Sequence, residues 1–210
     1  MNTKGILEVE FRCRFNSVDE AYKVLPFLQP GLQRSCTWTT TIYGLELFHS
    51  GQLIRTAEII IGNDHRSFIG WKGPDTGKFA NIRLELDEEI TQESTDSYVL
   101  MALGGRGNLS SLNGAIRELE RLGHHPFMSF EGVDFIGYNE LYDIKLKLMT
   151  CTKLKWPLLV EIEKTADSEE GASRCENELQ ELCRQFHLEE RTAREEPPTL
   201  LYESIFGKKP

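Results

Sequence analysis

Two stretches near opposite ends of the chain share one pattern of apolar and charged positions. In the run from Gly5 to Arg14, an extended backbone puts Leu7, Val9, Phe11 and Cys13 on one face and Glu8, Glu10, Arg12 and Arg14 on the other. The run Leu159-Val160-Glu161-Ile162-Glu163-Lys164 again sets two carboxylates two residues apart on one face of an apolar strand. Such a face is either solvated, as on an ordinary half-exposed strand, or turned with its partner toward a shared interior. In the second case Glu8, Glu10, Glu161 and Glu163 would form a hard, oxygen-rich site suited to Mg²⁺ or Mn²⁺.

Between these runs the pattern predicts more strands than helices. Asn16-Ser17-Val18-Asp19-Glu20 caps a helix with an apolar stripe at Ala21, Val24, Leu25 and Leu28, which Pro26 is expected to kink or shorten and Pro30-Gly31 to end. Arg34 to Phe48 and Gln52 to Ile61 read as a hairpin around Ser50-Gly51, followed by His65 to Lys72 and Ala80 to Ile90 after further turn signals, an antiparallel meander. Thr95 to Leu103 and Asn108 to Leu122 have helical spacing, the latter stopping at Gly123. Phe127 to Tyr138, Leu141 to Met149 and Lys153 to Glu163 return to strand pattern, and Ala172 to Phe186 is helical with Leu179, Leu182 and Phe186 inward. Leu188 to Pro198 reads as an exposed segment, and the apolar Leu200 to Phe206 as a docking tail.

The 210 residues suit one domain over the whole chain, with a helical connection at 94–123 and a C-terminal tail at 197–210. No apolar run approaches the roughly 18 residues of a membrane span, and Met1-Asn2-Thr3-Lys4-Gly5 leads directly into strand pattern, so a cytoplasmic protein without membrane association is expected. The five cysteines are scattered without a Cys-x-x-Cys pair, which predicts reduced thiols. A net charge of -9 argues against general nucleic-acid binding but is compatible with a local cationic pocket. The pattern leaves oligomeric state open, with a homodimer as one option. His124-His125 follows a helix stop, where imidazole favours the carboxyl end of the dipole.

Basic residues stand alone in several strand patterns: Arg55, Lys72, Arg83, Lys145 and Lys147. Arg83, Glu85 and Asp87 share one face, as do Lys145 and Lys147, while Leu84, Leu86, Leu146 and Leu148 take the other and are expected to pack outward against helices. Salt bridges on a solvated surface give the same pattern. If the charged faces converge instead, a polyanion with metal ions is the ligand that justifies their desolvation.

The order of these motifs resembles the CYTH, or triphosphate tunnel metalloenzyme, superfamily. Glu8-Val9-Glu10-Phe11-Arg12 is similar to its N-terminal Glu-x-Glu-x-Lys with Arg for Lys. Lys72-Gly73-Pro74 and Arg83-Leu84-Glu85 resemble its middle motifs, Arg55 its basic strand, and Glu161-Ile162-Glu163 its late Glu-Ile-Glu. The resemblance implies an α+β fold, an antiparallel closed barrel or tunnel of about eight strands with helices outside. It implies a small-molecule triphosphate or nucleotide as partner and Mg²⁺ or Mn²⁺ as cofactor. The activity implied is hydrolysis of an organic or inorganic triphosphate, or cyclisation of ATP to cyclic AMP and pyrophosphate. Glu8, Glu10 and Arg12 would be catalytic; Arg55, Lys72, Arg83, Lys145 and Lys147 would bind substrate; Glu8, Glu10, Glu85, Glu161 and Glu163 would hold metal. The chain lacks the Lys-x-Arg pair the family carries before the late motif, Met128 to Val133 standing there instead, and the aspartate that precedes Glu-Ile-Glu. A catalytically degenerate nucleotide or polyphosphate binder is therefore the alternative.

Overall fold

The computed structural model describes residues 6–28, 32–91, 96–107, 109–154 and 156–207. The strands are β1 (Ile6–Phe15), β2 (Leu32–Tyr43), β3 (Leu53–Ile61), β4 (Asp64–Lys72), β5 (Asn81–Glu89), β6 (Pro126–Asn139), β7 (Ile144–Thr150), β8 (Leu158–Ala166) and β9 (Thr192–Ala193). The helices are α1 (Val18–Val24), α2 (Leu45–His49), α3 (Tyr98–Ala102), α4 (Leu112–Arg121), α5 (Glu169–Gln185) and α6 (Pro197–Phe206). The strands form one sheet in the order β5-β4-β3-β2-β6-β7-β8-β1-β9, and a further β5–β1 pairing closes it. The fold is α+β, a closed antiparallel barrel of eight strands with β9 added and helices packed outside. None of its described helices is long and apolar enough to cross a membrane.

The chain divides into two compact units, one holding Trp38–Pro74 and Leu84–Glu131, the other Ile6–Thr37, Asp75–Arg83 and Gly132–Pro210. In the first, Ile54 and Ile69 of β3 and β4 pack with Val99, Leu100, Ala115 and Leu119 of α3 and α4. In the second, the apolar faces of β1, β7 and β8 (Val9, Phe11, Cys13, Leu146, Leu148, Val160, Ile162) pack with Ala21 of α1 and Ala172, Leu179 and Leu182 of α5. The expected outward packing of Leu146 and Leu148 is thus observed. Leu86 packs partly on the first unit's core, while Leu84 is exposed.

Local chemistry explains where elements begin and end. Ser17, Ser97, Ser111 and Ser168 each accept a hydrogen bond from a backbone N–H of the first turn of α1, α3, α4 and α5. Glu169 and Glu170 then meet the positive end of α5, so that helix starts at Glu169 rather than Ala172. Capping at Ser111 likewise delays α4 beyond Asn108, which lies outside the described residues, as do Pro30-Gly31 and Thr95; α1 itself ends at Val24, two residues before Pro26, so Leu25 and Leu28 are buried beyond the helix rather than on its stripe.

Three expectations need correction. The strand expected to run to Phe48 ends at Tyr43, because Gly44 turns into the left-handed region (φ 71°) and starts α2, which buries Phe48 against Phe127 at 5.3 Å. The strand expected from Lys153 starts only at Leu158, after Pro157. Leu188 to Pro198 is not an exposed segment: it forms a single 3-10 turn and β9, and buries Ala193, Glu196, Pro197 and Pro198. The apolar tail docks as expected, as α6 with Leu200, Leu201 and Tyr202 buried.

Candidate functional site

Strand register decides which charges meet. β1 pairs with β8 so that Arg12 lies opposite Glu161, Glu10 opposite Glu163 and Glu8 opposite Thr165. β7 pairs with β8 so that Lys147 lies opposite Glu161 and Lys145 opposite Glu163. β6 sets Ile136 opposite Lys147 and Tyr138 opposite Lys145. Directly opposed residues share a face, so two rows cross four strands of the second unit: Ile136–Lys147–Glu161–Arg12 and Tyr138–Lys145–Glu163–Glu10. Glu8, Glu10, Arg12 and Glu161 are 7%, 3%, 1% and 4% exposed, which overturns the reading of these faces as solvated.

Arg12 is the centre of the first row. Its Nε donates to Glu161 Oε1 at 2.8 Å and Nη1 to Asn81 Oδ1 at 2.9 Å, Nη2 donates to Glu10, and Nη2 also lies 3.7 Å from Glu196 Oε1. A planar fork with five donors can meet such a set at once, which a lysine ammonium cannot. Burial opposes the charge on this guanidinium, but Glu10, Glu161 and Glu196 outweigh it and hold its pKa above the ordinary value.

Glu161 is gripped from the other side by Lys147. Burial alone would raise its carboxyl, but Lys147 and then Arg12 hold it far below the usual carboxylate range. Burial works against the Lys147 ammonium too, and Glu161, then Asp134 and Glu10, hold its pKa above normal. Asp134 lies two residues before Ile136 on β6, is 6% exposed, and belongs to the same face.

The second row carries an excess of negative charge. Lys145 Nζ donates to Glu163 Oε1 at 2.6 Å from an exposed position. Burial, and after it the charge of Glu8, push the Glu163 carboxyl above its ordinary range. Two carboxylates that repel in a partly dry site form a donor set whose chemistry fits a divalent cation. Among the described residues, however, no three His, Cys, Asp or Glu side chains converge into a ready cage. A cavity of about 390 Å³ borders both rows, lined by Arg34, Ile136, Tyr138, Lys145, Lys147, Glu161 and Glu163 among others.

The remaining candidates fall in two places. Arg83 belongs to the second unit, its Nε 3.1 Å from Glu196 Oε1. Arg55, Lys72 and Glu85 belong to the first unit, where Lys72 lies opposite Glu85 on β4 and β5 and its Nζ is 3.5 Å from Glu85 Oε1. Arg55 lies opposite Gly70, and Gly70 opposite Asp87. With no side chain between them, Arg55 Nη2 reaches Glu85 Oε1 at 3.2 Å and Asp87 Oδ1 at 3.4 Å. A Cβ on Gly70 would stand 2.4 Å from Asp87 Oδ1, so any other residue there would push the Asp87 carboxylate from its present position beside Arg55.

The sequence reading missed Asn81, Asp134 and Glu196. The alternation Asp134, Ile136, Tyr138 on β6 carried a signal for Asp134. For Asn81 and Glu196 no local pattern announces a role. Asn81 is itself held, its Nδ2 donating to Asp75 Oδ2 at 2.8 Å, and Arg194 Nη2 meets the same oxygen at 2.9 Å.

No sequence model of a known family matches the chain, and no curated protein matches it. Solved structures do. The PH1819 protein of Pyrococcus horikoshii OT3 superposes with a TM-score of 0.71 at 18% identity, over 93% of this chain and 98% of that one. A "putative adenylate cyclase" of Vibrio parahaemolyticus gives 0.65 at 18% identity, over 94% and 98%. A "putative adenylyl cyclase" of Hippeastrum, described as having a dominant triphosphatase activity, gives 0.56 at 14% identity, over 97% and 96%. The chain shares the fold of these proteins. That is the architecture the order of Glu8-Val9-Glu10, Lys72-Gly73-Pro74, Arg83-Leu84-Glu85 and Glu161-Ile162-Glu163 implied.

Proposed function

We propose that the chain is a divergent triphosphate tunnel metalloenzyme. It binds a triphosphate-containing small molecule and, with Mg²⁺ or Mn²⁺, hydrolyses it or cyclises ATP to cyclic AMP and pyrophosphate. The observation that carries this reading is the row Lys147–Glu161–Arg12, two cations clasping one buried carboxylate beside a cavity of about 390 Å³. Desolvating so many charges costs more than an apolar core of equal volume, and a polyanion with a cation is the ligand that uses both signs. The names of the structural neighbours, adenylate cyclase and triphosphatase, agree with it.

Lys145, Lys147 and Arg83, with Arg55 and Lys72, are the proposed phosphate partners; Glu8, Glu10, Glu161 and Glu163, with Glu85 as a further candidate, are the proposed metal side. Mg²⁺ keeps several waters and takes one or two protein carboxylates plus substrate phosphates, so it does not need a complete protein cage. When bound, such an ion would neutralise charge on the phosphoryl oxygens. The protein's own share is to hold oxyanions between Lys145 and Lys147 and to fix the Glu161 carboxylate against rotation through Arg12 and Lys147.

One observation favours the second reading, a degenerate binder of nucleotides or polyphosphate. Arg12 stands where the family pattern has lysine, and its guanidinium is occupied by Glu10, Glu161 and Asn81. Guanidinium stays protonated and cannot supply the proton chemistry of a lysine. Phosphorus NMR of the protein with ATP or tripolyphosphate, with Mg²⁺ or Mn²⁺ and then with chelator, tests both. Metal-dependent turnover is expected, and the products identify the reaction. Binding without turnover selects the degenerate binder, and absence of binding to either ligand refutes both readings.

A further inference from the structure

Glu196 is the most unusual carboxylate of the second unit. It belongs to the C-terminal segment, not to any of the strands that carry the other site residues, and yet it is 5% exposed. Two neighbouring devices bring it there. β9 pairs with β1, setting Ala193 opposite Arg12, and α6 begins directly after Glu196 with Pro197 and Pro198 buried. Arg194 fastens the same segment by donating to the carbonyls of Gly77 and Lys78 and, at 2.9 Å, to Asp75 Oδ2. The three residues between β9 and α6 are thus anchored at both ends.

The carboxylate so placed lies between two guanidinium groups, with Oε1 3.1 Å from Arg83 Nε and 3.7 Å from Arg12 Nη2. The first is not aligned for a hydrogen bond to that buried oxygen and the second is too long for one. The interaction is therefore charge on charge without the directional bonds that a guanidinium fork makes with a fitted oxyanion. Arg12 already has Glu10 and Glu161 as carboxylate partners, so its charge balance does not require a third.

We infer that Glu196 is an internal competitor: its carboxylate occupies a position between Arg12 and Arg83 that a substrate phosphate oxygen takes, and the segment Thr192–Glu196 is an autoinhibitory strap. This rests on the triphosphate reading above and names a regulation of that same site. The strap yields by a local movement of Glu196 and its neighbours, leaving α6 docked through Leu200, Leu201 and Tyr202. A site open in about one molecule in ten binds about tenfold more weakly than a permanently open one, so freeing it has a readable size.

The test is the affinity of inorganic tripolyphosphate for the wild type and for Glu196→Gln, by calorimetry in the presence of Mg²⁺. The variant keeps the shape and removes the charge, and the expected result is binding about tenfold tighter, set by one opposing charge leaving a partly dry site. Equal or weaker binding by a folded Glu196→Gln overturns the inference while leaving the triphosphate reading intact. No binding by either protein overturns that reading and the inference together. Hydrogen exchange on the wild type is the second measurement and needs no variant. Tripolyphosphate should speed exchange of the amides of 192–196 and leave those of α6 unchanged, whereas protection of the strap amides overturns the inference.

Discussion

Replacing Arg12 with methionine gives the most direct test of the buried charge network. The guanidinium is 1% exposed, and Glu10, Glu161 and Glu196, all at 7% or less, lie on it. Removing one partner of a buried ion pair costs about 3–5 kcal/mol, because the other charge stays buried and uncompensated. Lys147 is not counted in this sum, since its side chain is 34% exposed and partly served by water. Against a typical total stability of about 5–15 kcal/mol the loss is large, and it lowers the melting temperature by roughly 10 °C for a chain of this length. The acid loss of stability should also move to higher pH. In the wild type burial pushes Glu161 up, but Lys147 and Arg12 overcome it and hold its carboxyl below the ordinary range. Its contribution is thus complete above about pH 4.3 and is lost as acid titrates through the lowered value. Without the guanidinium only Lys147 opposes the effect of burial on Glu161, so its carboxyl moves up from that lowered value and the loss of stability in acid begins at a higher pH than in the wild type, within the window from about pH 7 to about pH 3. Urea unfolding of both proteins across that range measures it. A loss below about 1 kcal/mol with parallel pH profiles would show that water, not Arg12, balances these carboxylates, and would refute the argument.

Two further perturbations address other parts of the molecule. Burial and Glu8 hold the Glu163 carboxyl above its usual range, so its ionised form costs stability as pH rises through that raised value; Glu163→Gln should melt higher than wild type near about pH 8, with the gap closing near about pH 4, and a lower melting temperature at the higher pH would count against it. Lys145 loses a partner in that variant, but it is mostly exposed and the loss is small. Glu176 of α5 accepts the backbone N–H groups of Lys78, Phe79 and Ala80 at 2.8, 2.7 and 3.0 Å. Glu176→Ala should cost about 1–3 kcal/mol and hasten tryptic cleavage after Lys78; unchanged cleavage would mean that Arg194 and Asp75 suffice to hold the loop.

The division between what was legible in the chain and what was not follows the range of the interactions. Alternation over β1 and β8 is local, fixed by the period of two along an extended backbone, and so Glu8, Glu10, Arg12, Glu161 and Glu163 stood out from sequence alone. The cap at Ser17 and the apolar stripe of α5 were legible for the same reason. The pattern could not say whether those charged faces met water or one another, since that depends on what covers them. Nor could it fix Lys147 opposite Glu161, because register belongs to a pair of strands and a shift of one residue reverses every side chain. Gly70 is an ordinary strand glycine until Arg55 and Asp87 are placed on either side of it. Asn81 and Glu196 lie at sequence separations of 69 and 184 from Arg12, and no local rule joins them. The sequence by itself determined which strands carry charge and in what order the motifs run. Only the tertiary structure decided that the acidic segment before Pro197 turns inward, because the burial of Glu196 depends on β9 adding to β1 and on α6 finding its place, both long-range events.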